Sequence, residues 1–148
     1  MKPRPISFFL GITLLALFAS HAQAAPCSLN GAAGKYGFTL TGVVITQAGA
    51  IPIAAVGGAN LDASGNATGV ESRSVGGGFA DETFTGSYTV NPDCTGTLTL
   101  QIVQFGVTVH SYFVIDDSGR EFLAIETEKD FIITRIARRQ FPVGDWRQ

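Results

Sequence analysis

The chain has 148 residues, with 12 acidic side chains against 10 basic, two histidines, two cysteines and 45% hydrophobic residues. That balance supplies no concentrated basic surface, so nucleic acid is not an expected partner. Two cysteines with so few histidines fall short of a four-ligand zinc centre, and no cofactor motif is present, so no metal and no cofactor are expected.

Residues 1–24 read as a cleavable secretory signal peptide. Lys2 and Arg4 form the positive start, residues 6–19 form an uncharged apolar run, and Ala22-Gln23-Ala24 presents small residues where a peptidase reads. The run is shorter than the ~20 apolar residues that span a bilayer, so no stable membrane insertion is expected after cleavage. The residues before Cys27 lack a lipobox pattern. The expected location is periplasmic or secreted. With the leader go Lys2, Arg4 and His21, so ten basic residues become eight against twelve acidic ones, and His110 becomes the single histidine. Cys27 and Cys94 are an even count in an exported chain, which points to a structural disulfide. Closing so long a loop contributes about 4 kcal/mol in the chain-entropy model.

Residues 25–139 make one β-domain, and 140–148 a tail without periodicity. The first strand is expected over 35–46, where Tyr36, Phe38 and Leu40 alternate with smaller or polar residues. The second, 51–61, follows a Gly-Ala turn and leads into the hairpin turn 62–66. A more polar strand, 67–75, ends at Gly76-Gly77-Gly78, and 79–90 runs to the turn Asn91-Pro92-Asp93. Strands 94–105 and 107–115 come next, then 120–128 and 131–138. The segment 120–128 (REFLAIETE) also suits a short helix. Neither Gly57-Gly58 nor Gly76-Gly77-Gly78 has the spacing of a phosphate loop. Eight strands joined by short turns predict an all-β antiparallel meander closed into a small barrel, with a β-sandwich as the alternative.

The string from Gly86 to Thr97 (GSYTVNPDCTGT) resembles a motif of small exported bacterial proteins of unassigned function. Gly34, Tyr36, Gly37 and Phe38 after the first cysteine, and Leu61, Asp62, Gly65, Asn66 and Gly69, are similar too. The resemblance implies a calycin-like or allene-oxide-cyclase-like barrel, the group that includes plant dirigent proteins, with an interior pocket. It carries over no catalytic residue.

Chemistry-bearing residues are few. His110 shares a strand face with Tyr112, opposite Val109, Ser111 and Phe113, and no nucleophile elbow accompanies it. Glu71 and Arg73 share a face, Glu126 follows Phe122 and Ala124, and Arg135 sits between Ile133 and Ala137. These charges are expected to face solvent; one turned into the barrel would mark a site. Tyr36, Phe38, Tyr88, Tyr112, Phe113 and Phe122 either line a pocket or fill the core. Candidate ligand-binding residues are therefore Tyr36, Phe38, Glu71, Tyr88, His110, Tyr112 and Glu126. The leading expectation is a non-enzymatic barrel that binds a small apolar molecule or a protein partner. Its rivals are an isomerase- or cyclase-type enzyme acting by pocket shape, and a surface adhesin or assembly subunit.

Overall fold

Aromatic rings on the inner face of this sheet lie over glycines of the neighbouring strands. The computed structural model describes residues 27–116 and 119–140; the expected leader, 1–24, and the tail from 141 onward lie outside them. A short helix α1 (Leu29–Ala32) precedes strands β1 (Gly34–Thr46), β2 (Gly49–Leu61), β3 (Asn66–Val75), β4 (Gly78–Val90), β5 (Thr95–Ile102), β6 (Val107–Asp116), β7 (Glu121–Glu126) and β8 (Phe131–Arg139). Each strand pairs antiparallel with the next, and β1 pairs with β8, so the sheet is a closed barrel and not a sandwich. The segment that also suits a helix forms β7, because its neighbours β6 and β8 take its backbone groups into the ladder.

Closure turns every second side chain inward. In register, Phe38 lies opposite Gly57, Phe84 opposite Gly69 and Phe113 opposite Gly96. A Cβ on Gly69 would meet the Phe84 ring at 2.2 Å, and one on Gly96 would meet Thr89 O at 2.1 Å. Glycine here lets strands approach and coil, and the facing ring covers the bare backbone.

The two ends of the barrel differ. At one end α1, capped by the Ser28 side chain, plugs the opening. Tyr36 Oη donates to Ala32 O at 2.7 Å, and Arg139 donates to Ala33 O and Gly31 O at 2.8 and 2.6 Å. The Cys27–Cys94 disulfide, with Cα atoms 5.0 Å apart, ties the start of the plug to the β4–β5 turn. At the other end, formed by the β1–β2, β3–β4, β5–β6 and β7–β8 turns, no described segment crosses the opening. Among the described residues no helix is long and apolar enough to cross a membrane.

Gly96→Ala is expected to lose on the order of 3 kcal/mol or more, since its Cβ would strike backbone. Gly58→Ala, where a Cβ meets only Tyr36 O at 3.9 Å, should change stability by less than about 1 kcal/mol. Urea unfolding of both variants checks the pair.

Candidate functional site

The inward rows are apolar near the plug and apolar again near the open end, with charge between them. Tyr36, Phe38, Phe84, Tyr88, Leu100, Phe113 and Phe122 form the cluster against α1. Leu40, Ile53, Ala55 and Ile133, with Val44, Val75 and Phe131, form a second cluster toward the open end. Glu71, Glu82, Ser111, Glu126 and Arg135 are buried polar residues on the same inward rows. The expectation that Glu71, Glu126 and Arg135 face solvent is thus overturned. They keep phase with inward apolar neighbours, and closure of the sheet points every such position into the barrel.

The charges are paired across strands. Arg73 Nη2 donates to Glu82 Oε1 at 2.5 Å. Arg135 Nη2 donates to Glu126 Oε1 at 3.2 Å, and Ser111 Oγ donates to Glu126 Oε2 at 3.0 Å. Glu71 lies opposite Glu82 in the β3–β4 register. Burial pushes the Glu71 carboxyl above the usual carboxylate range, against the pull of Arg135 and Arg73, with Glu82 adding to the rise. Burial likewise raises Glu126, against Arg135 and the Ser111 hydroxyl. Among the described residues, Glu82 Oε2 and the Nε and Nη1 atoms of Arg135 are buried without a hydrogen-bond partner. A protonated Glu71 can supply the donor that Glu82 Oε2 lacks.

Two internal spaces flank this layer. A cavity of about 170 Å³ near the open end is walled by Leu40, Val44, Ile53, Val109, Phe131 and Ile133, with Glu71, Arg73, Glu126 and Arg135 on its polar side. Phe105, 56% exposed, stands at its mouth with the Arg73 guanidinium 5.3 Å from its ring centre. The second space, about 50 Å³, lies toward the plug and is lined by Tyr36, Phe38, Tyr88 and other apolar residues. Arg135 borders both.

The sequence candidates therefore separate into three groups. Glu71 and Glu126 line the larger cavity. Tyr36, Phe38 and Tyr88 line the small one, where Tyr88 Oη donates to Asp62 O at 2.6 Å. Burial pushes Tyr88 up to about 12, so its hydroxyl stays a donor that fastens the β2–β3 turn. His110 and Tyr112 lie on the outer face. His110 Nδ1 is 2.6 Å from Glu128 Oε1, which also accepts from the His110 backbone N–H at 2.7 Å. Tyr112 joins Val114, Leu123, Ile125 and Ile136 in an exposed apolar strip. Arg73, Glu82, Ser111 and Arg135 belong to the interior layer although none was a site candidate. The available signal is their strand phase: Arg73 with Ala67 and Val75, Glu82 with Phe84 and Tyr88, Ser111 with Phe113, and Arg135 with Ile133.

Glu71 binds its proton more tightly in the folded chain than in the unfolded one. Its contribution to stability is present below the ordinary Glu value of about 4.3 and is lost as pH rises through the raised folded value. Glu71→Gln is therefore expected to be more stable than wild type at pH 8, with the gap closing toward pH 4. Arg135→Met should instead cost about 3–5 kcal/mol at neutral pH by stranding Glu126. Thermal and urea unfolding across that pH range check both.

No protein-family model and no curated protein matches the sequence. Among solved structures the chain is similar to two redesigned β-barrels. The barrel b11L5F_LGL superposes with a TM-score of 0.54 at 16% identity, covering 77% of this chain and 96% of that one. The barrel mFAP1, bound to DFHBI, gives 0.53 at 16% identity, covering 76% of this chain and 98% of that one. At such identity the likeness establishes the eight-stranded antiparallel barrel fold.

Proposed function

We propose that this protein is an exported barrel that holds a small, largely apolar molecule in the cavity at its open end. The observation that carries the reading is that cavity of about 170 Å³, apolar on its walls and charged on one side. Pockets of small-molecule sites have this composition, mostly apolar with a few placed polar groups. The cavity is close in size to an engineered cavity of about 150 Å³ that takes benzene. A redesigned barrel of the same fold has been solved bound to DFHBI, which supports ligand binding by such a barrel.

Export is supported by the disulfide, a bond that persists in oxidising compartments, and by the leader pattern of residues 1–24. The calycin-like and allene-oxide-cyclase-like kinship proposed from the Gly86–Thr97 string agrees with an interior pocket. The isomerase- or cyclase-type reading keeps Glu71 and Glu126 as interior groups but not His110 or Tyr112. The assembly reading draws on the exposed strip of Tyr112, Val114, Leu123, Ile125 and Ile136, since such strips favour contact with another surface.

Native mass spectrometry of protein purified from its own compartment is expected to show a small molecule retained on a monomer. Val109→Trp, which fills the cavity from β6, should abolish retention while leaving the barrel folded by circular dichroism. Wild-type protein that carries no molecule and forms a defined multimer would favour assembly instead.

A further inference from the structure

The polar side of the cavity is more specific than an apolar pocket requires. Arg135 has a side chain 9% exposed, and Glu126 engages only its Nη2. Among the described residues its Nε and Nη1 have no acceptor, and Arg135 borders the cavity. A buried charged donor left unpaired is costly, so an acceptor arriving with a ligand recovers free energy there. The Phe38 ring packs on this guanidinium, with its centre 5.3 Å from Cζ.

Charge balance then restricts the ligand. Glu82 is matched by Arg73 and Glu126 by Arg135. Glu71, set against Glu82, balances the layer when it carries a proton. An anionic ligand would add a charge that no further buried cation compensates. A cationic ligand would face two guanidiniums and leave the free donors of Arg135 unused. Size restricts it further, because the space is ring-sized.

We infer that the ligand is an uncharged, ring-sized molecule bearing a carbonyl-type oxygen, which accepts hydrogen bonds from Arg135 Nε and Nη1 while its apolar body packs on Leu40, Ile53, Val109 and Ile133. The inference rests on the cavity reading and adds the chemistry of the polar group. Three probes of one ring size separate the two: acetophenone, ethylbenzene and benzoate, titrated at pH 7 by calorimetry and by NMR of the Arg135 Nε–H signal. Acetophenone should bind on the order of tenfold more tightly than ethylbenzene and more tightly than benzoate, and it alone should shift the Nε–H signal strongly. Arg135→Lys, which keeps a cation for Glu126 but removes the fork, should bring acetophenone down to the level of ethylbenzene. Equal binding of acetophenone and ethylbenzene overturns the polar anchor and leaves the apolar cavity standing. Tighter binding of benzoate overturns the requirement for neutrality. Binding of none of the three to wild type sinks the cavity reading itself. If Arg135→Lys does not fold, the wild-type series decides.

Discussion

Two guanidiniums and three carboxylates share the inside of a closed eight-stranded barrel, and the internal plan follows from the need to keep that charge compensated. Each ion must find a partner across a strand because the sheet has no edge through which water could reach it. Arg73 meets Glu82 and Arg135 meets Glu126, so the ions gather in one layer. The apolar rows on either side stay free of charge and pack as two separate clusters. Buried ion pairs of this kind are weak contributors to stability, and apolar replacements are often as stable or more so. The layer borders the cavity, and Arg135 Nε and Nη1 have no partner among the described residues, which is why we propose it as part of a site.

The asymmetry of the ends completes that plan. Near the plug, Tyr36 and Tyr88 bury their rings and spend their hydroxyls on carbonyls of α1 and the β2–β3 turn. The Tyr36 ring packs edge-on against Phe122, with centres 5.0 Å apart, and Phe122 packs in the same way on Phe113. That end keeps only the small space of about 50 Å³, and the disulfide fastens its lid. At the open end the inward residues are shorter aliphatics, and their smaller volume leaves the cavity.

Most of the fold was legible because strand alternation and turn residues act locally. The turns at 62–66 and 91–94 are held by Asp62 accepting from Ser64 and Asn66, and by Asp93 accepting from Thr95, contacts that depend only on nearby sequence. The α1 plug was not foreseen, since four residues carry no helical period and are held by contacts from Tyr36, Tyr88 and Arg139. The site was legible only in part. Glu71 and Glu126 stood out as charges on otherwise apolar faces, but their inward direction depends on closure between β1 and β8. Glu82 and Arg135 gain their meaning only from partners nine residues away on the next strand. The outward turn of His110 follows once Val109, Ser111 and Phe113 are known to be the inner row.

The central claim is that the usable space in this barrel lies at its open end, against the charged layer. A crystal under xenon pressure tests it most directly, because xenon enters apolar cavities without needing a polar partner. A xenon atom is expected among Leu40, Ile53, Val109 and Ile133. Xenon confined to the plug end, or absent from the interior, would contradict it.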